Sequence, residues 1–226
     1  MESYEWIALI ASTICLFIFL TQFLCLVKMG SPKDLSKREG DIKGAVLYSF
    51  VKAMAPGNKE SAYLHLPTYT AGIIYHIGTF LTLLLFIVFM VMTIFGIEIP
   101  FNLSFLTHFT LIIAGILFFT SLSGLLILAK RVVNKELRSL SGPDDYLSNI
   151  ITTLTQLVTA FFMIFSTAKV VYFVIMTLFF LWLPVGKTKH LMYFFFARYH
   201  LGFFYGWRGT WPQKSPDRDY GENRHK

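Results

Sequence analysis

The chain has 226 residues, of which 55% are hydrophobic and only 15% charged, and its mean hydropathy is +0.58. A soluble domain carries roughly 25% charged residues to keep its surface wet, so a water-soluble enzyme is excluded. The net charge of +7 does not call for nucleic acid, because the placement of the basic residues along the chain accounts for it.

The apolar residues come in blocks. Residues 6–27, 69–97, 99–129 and 146–168 contain no Asp, Glu, Lys or Arg. A helix needs about 20 apolar residues to cross the hydrocarbon layer, and each block is long enough. A fifth run begins at Val170 and continues past Lys187 and Lys189, whose stems can snorkel. The predicted fold is therefore all-α and integral to a membrane. Five spans are expected, over about 6–27, 69–97, 105–129, 146–168 and 170–197, within one domain of residues 1–204.

The first span reads as retained rather than as a cleaved leader. Its leading segment Met1-Glu-Ser-Tyr-Glu is acidic, and no small-x-small cleavage site follows. Cys15 and Cys25 both fall in it, ten residues apart on one helix, so they are expected to form neither a disulfide nor a metal site. After it, residues 41–55 place Ile42, Val46, Phe50 and Met54 at four-residue steps, a narrow apolar stripe on a predicted interfacial helix that Pro56-Gly57 ends. Residues 205–226 form a tail that starts as Tyr205-Gly-Trp-Arg-Gly-Thr-Trp-Pro and turns polar from Gln213. The interfacial helix and the tail suit either membrane-surface anchoring or the docking of a cytoplasmic partner.

Of the 20 basic residues, 19 lie in the segments 28–68, 130–145 and 187–226, and Lys169 is the exception. The positive-inside rule then puts the N-terminus outside and the C-terminus in the cytoplasm.

The histidines carry the functional expectation, because an ionisable residue inside a bilayer is costly and rarely incidental. His76 lies nine residues past Pro67, roughly 13 Å along its helix from the cytoplasmic start. His190 lies near the inner end of the fifth run, at a similar depth on an antiparallel helix. Two imidazoles facing each other across a bundle would suit bis-histidine ligation of haem iron, and Gly72 and Gly78 beside His76 would let a porphyrin approach. The plain alternative is two unrelated polar residues in helix contacts. His65 and His200 sum almost as antiparallel partners should and offer a second haem site, but Pro67 interrupts the helix beside His65 and both residues sit at the interface. His108 opens the third span without a histidine partner, and His225 lies in the tail.

Tyr75-His-Ile-Gly in the second span, with Met176-Thr-Leu-Phe-Phe-Leu-Trp-Leu-Pro-Val-Gly-Lys-Thr-Lys-His190 in the fifth, resembles the gamma subunit of respiratory nitrate reductase. The resemblance extends to the membrane cytochrome b of heterodisulfide reductases and related sulfur-cycle complexes. It covers the five-span plan and is concentrated in spans two and five. It implies haem b between those spans, with His76 and His190 matching the ligand pair nearest the cytoplasm. The outer ligand positions hold Phe86 and Tyr172, which do not ligate iron, so one haem is implied.

The resemblance further implies an electron-transfer subunit of the prokaryotic cytoplasmic membrane, not catalytic alone. It would link membrane quinone, such as menaquinone, to a cytoplasmic iron–sulfur partner. Lys169 and His108 near the outer turns, and Lys187 near His190, are candidate proton partners for a quinone, without a choice among them. The other function classes are a haem-free anchor for a soluble enzyme and a small transporter. The transporter is disfavoured because the first four spans lack carboxylates and lysines and show no inverted repeat.

Overall fold

The computed structural model describes residues 1–30, 35–55, 65–97 and 104–212. The Pro56-Gly57 stop, the Glu98 turn, His225 and the polar tail from Gln213 lie outside the described residues. Among the described residues 85% are helical and none lies in a strand. Its helices are α1 (Ser3–Met29), α2 (Ile42–Phe50), α3 (Leu66–Ile94), α4 (Ser104–Val133), the short α5 (Lys135–Ser139), α6 (Pro143–Ile164), α7 (Lys169–Trp182) and α8 (His190–Trp207). Of these, α1, α3, α4 and α6 are each long and apolar enough to cross a membrane, and the α7–α8 pair makes a fifth span only if counted as one. This agrees with a multi-pass membrane protein, as do the large side chains left on the outside: Leu16, Phe17, Phe118 and Phe119 are all exposed.

Helix ends follow local chemistry. Gly30 and Gly96 take the left-handed backbone (φ 67° and 65°) that closes α1 and α3, a conformation that costs other residues a Cβ clash. Asp41 caps α2, its carboxylate accepting from the N–H groups of Lys43 and Gly44 at 3.0 and 2.9 Å. Pro143 starts α6, where a missing N–H costs nothing, and Asp145 reaches back to accept from Gly142 N–H at 3.0 Å.

The chain forms two compact units: one of Met1–Cys25 and Pro67–Lys189, the other of Leu26–Leu66 and His190–Lys226. In the first, α3, α4 and α6 cross where side chains are smallest. A Cβ at Gly78 would collide with Thr120, and one at Gly124 with the Tyr75 ring. Ser123 Oγ donates to Ala71 O at 2.7 Å across the α3–α4 crossing. Without a hydrophobic drive between helices in lipid, such close crossings and polar links are what hold spans together. One face of α6 is buried and polar: Ser148, Thr152, Thr153, Thr155, Gln156 and Thr159. Toward the other end the core turns aromatic, with Phe86, Phe89, Phe162, Tyr172, Phe173, Phe179 and Phe180 all buried.

The second unit is built on α2 against α8. The predicted stripe on residues 41–55 is displaced: the regular helix stops at Phe50, a 3-10 turn covers Lys52–Met54, and the buried positions of α2 are Ala45 and Ser49. They face Gly202 and Gly206 of α8, where a Cβ would come within 2.5 Å of Val46 Cα and 2.6 Å of Ala45 Cβ respectively. Ile42, Val46 and Phe50 flank this small-residue seam, half-buried. Ser49 Oγ donates to Arg198 O at 2.8 Å, and Trp207 Nε1 donates to Ser36 O at 2.9 Å, tying both ends of the pair.

Replacing Gly202 by Val pushes its side chain into the α2 backbone, which cannot rotate away. A cost of about 1–3 kcal/mol, typical of overpacking, is expected. A lower midpoint of thermal aggregation in detergent, with Gly115→Val, where a Cβ meets open space, as the tolerated control, checks it.

Candidate functional site

His76 lies on α3 of the first unit, and its direction follows from the crossing just described. Tyr75, Gly78, Thr82, Phe86 and Phe89 form the buried face of α3, whereas His76 is exposed. Gly72, one turn before it on the same face, has open space where a Cβ would stand. Gly78 is committed to Thr120 and Gln156 on the opposite side, so of the two glycines flanking His76 only Gly72 leaves room beside the imidazole.

Behind His76 the polar face of α6 clasps α3. Gln156 Nε2 donates to Tyr75 O at 3.1 Å and to Thr79 Oγ1 at 2.9 Å. Tyr75 OH donates to Asn149 O at 3.0 Å and accepts from Thr153 Oγ1 at 3.2 Å. These links are buried in a bundle that excludes water, so each stands in place of a costly orphan group. They hold the backbone on either side of His76.

The level of Phe86 and Tyr172 is aromatic. Phe86 meets Phe180 at 4.6 Å between ring centroids, and Tyr172 stacks on Phe162 at 4.7 Å with 18° between planes. Phe89 meets both Phe162 and Tyr172 edge-on, at 5.2 and 5.8 Å. At this level the core is packed ring against ring.

The predicted fifth helix over 170–197 is two helices. Pro184 has no N–H to give and its ring crowds the carbonyl one turn back, so α7 ends at Trp182. Gly186 N–H folds back onto Trp182 O at 2.9 Å. The start of α6 clamps the break. Asp144 Oδ1 accepts from Lys187 N–H at 3.1 Å and from Ser148 Oγ at 2.8 Å, and Ser148 Oγ accepts from Trp182 Nε1 at 3.0 Å. Asp145 pairs with Lys187 Nζ at 2.6 Å and Arg131 at 2.8 Å. His190 then opens α8 in the second unit. The two expected ligands thus come from different units: His76 from the first and His190 from the second.

The second unit also holds His65 and His200. His65 is exposed just before α3, and His200 packs against the Phe196 ring at 4.2 Å. His108 is exposed near the start of α4.

The three candidate proton partners separate. Lys187 is engaged by Asp145 in the clamp. Lys169 Nζ pairs at 2.5 Å with Glu5, whose carboxylate is buried and also accepts from Glu2 N–H at 2.7 Å. This pair lines a cavity of about 440 Å³ at one end of the first unit, together with Thr93, Ser166, Phe89, Phe162 and Phe173. Of the three candidates, Lys169 alone is among the residues lining that cavity.

Sequence reasoning missed Glu5, Asp144, Asp145 and Trp182. The available signal was that each charge sits one or two residues outside an apolar block, where it is read as a boundary rather than as a partner. Gln156 was missed because an amide inside an apolar block carries no charge to draw notice.

Substituting Asp145 by Asn removes the charge that holds Lys187 and Arg131 together. The group is partly exposed, so a loss of about 1 kcal/mol is expected. Faster amide exchange at residues 185–189, with exchange at Gly78 and Thr79 unchanged, is the measurement that checks it.

Comparison with known proteins found no matching family model, no matching curated protein and no matching solved structure.

Proposed function

We propose that this chain is the haem b-bearing membrane subunit of a respiratory oxidoreductase, of the kind formed by nitrate reductase gamma subunits and heterodisulfide reductase membrane cytochromes. It passes electrons between membrane quinone and a cytoplasmic iron–sulfur subunit in a prokaryotic cytoplasmic membrane. The N-terminus is outside and the C-terminus is in the cytoplasm. The observation that carries this reading is His76, an exposed imidazole on an apolar span beside an open glycine. Facing lipid it would be costly, and facing a prosthetic group it has a use.

On the first unit's side the residues fit a haem: an imidazole donor, the open Gly72 face, and a backbone held by Gln156 and Tyr75. His190 is the proposed second donor, and the Asp144–Asp145 clamp sets where the chain leaves α7 for α8. The aromatic packing of Phe86 and Tyr172 supports one haem rather than two. When bound, haem supplies one-electron redox chemistry, and the protein's part is ligation, burial and orientation.

One observation favours the alternative of a haem-free anchor: the helix expected to carry His190 is broken before reaching it. Pyridine-haemochrome quantitation on the purified chain separates the two readings. About one haem b per chain is expected, with His76→Ala and His190→Ala each abolishing it. No haem in an intact chain supplied with haem would leave the anchor.

A further inference from the structure

Nearly all of the net charge sits in the second unit. Its sequence carries 13 basic and 7 acidic residues, a net +6 out of the chain's +7. Eight of the 13 are lysines. The unit also shows large apolar side chains to its surroundings: Leu35, Leu47, Val51, Phe195 and Phe204 are all exposed. Two arginines lie over aromatic faces, Arg198 at 5.6 Å from the Phe194 centroid and Arg208 at 3.7 Å from Phe204. Helices that combine exposed aromatic and aliphatic residues with a basic surround lie in the headgroup layer, apolar groups dipped inward and cations at phosphate level.

We infer that the α2–α8 unit binds the anionic headgroup surface of the bilayer, gathering acidic phospholipids around the chain. The occupant follows from composition. Protein interfaces are depleted in lysine, whereas polybasic, lysine-rich segments are attracted to anionic lipid by charge rather than by geometry. The small-residue seam leaves the lysines outside: Lys43 of α2 points away from Ala45 and Ser49 and is exposed, as are Lys37 and Lys52. The inference is independent of haem.

The test uses the full chain in detergent, exposed to equimolar phosphatidylglycerol and phosphatidylcholine, with retained lipids counted by native mass spectrometry. The expected result is a preference for phosphatidylglycerol of about tenfold or more at low salt that falls as salt rises. The variant carrying Lys37→Gln, Lys43→Gln and Lys52→Gln, which spares the α2–α8 seam, is expected to lose most of it. No headgroup preference in the wild type overturns the inference and leaves the basic surface to an acidic protein partner. A preference unchanged in the triple variant also overturns it, because the lipid then binds elsewhere. The side of the membrane is read separately, from impermeant maleimide labelling of Leu47→Cys in a Cys25→Ser background. Labelling from the outer face would sink the five-span topology and leave the lipid preference standing.

Discussion

Helix α3 can approach α4 and α6 closely only where it carries no side chain, and that requirement sets the rotation of the whole span. Gly78 lies against Thr120 and Gln156, and Gly124 of α4 lies against the Tyr75 ring. Once Gly78 faces inward, a residue two positions earlier is turned by about 200° and must face outward. His76 is that residue. The same rotation commits Phe86 and Phe89, further along the inward row, to the aromatic core. The exposed position of His76 and the aromatic core around Phe86 and Phe89 are therefore two consequences of one crossing.

Polar groups in the bundle reinforce this orientation instead of opposing it. In hydrocarbon no water is available to pair a stray amide or hydroxyl, so a buried polar face persists only where partners are supplied. The seam on α6 meets that condition for its donors, while Gln156 Oε1 is buried without a partner among the described residues. Gln156 spends both its N–H groups on α3, and Thr152, Thr155 and Thr159 donate to carbonyls of their own helix at 2.6–2.8 Å. The outcome is a rigid back wall behind His76, made of neutral groups with no net charge to desolvate.

Charge is confined to the ends of the spans, and at both ends it does structural duty. Lys169 and the buried Glu5 join α1 to the start of α7, and the carboxylates at the head of α6 receive the chain after Pro184. A broken helix exposes backbone groups that its continuation would have satisfied, and Asp144 takes one of them directly from Lys187 N–H. The acidic start of α6 thus has two roles, as a helix beginning that welcomes negative charge and as a receptor for the end of α7.

The sequence by itself determined the all-helical class, the apolar spans and the near-complete gathering of basic residues on alternate connections. Those properties depend on composition over about twenty residues, and neighbours cannot overrule them. It also marked His76 as out of place in its span. Only the tertiary structure decided which way His76 faces, because helix rotation depends on the Thr120 and Gln156 side chains that meet Gly78. Only the structure showed that the run over 170–197 is two helices: Pro184 can kink a span or end it, and here the Asp144–Asp145 clamp stabilises the end. The α2–α8 pairing was hidden for a similar reason. Ala45, Ser49, Gly202 and Gly206 carry almost no hydrophobic signal, since what they contribute is the absence of bulk, and that matters only when a second helix is there to use it.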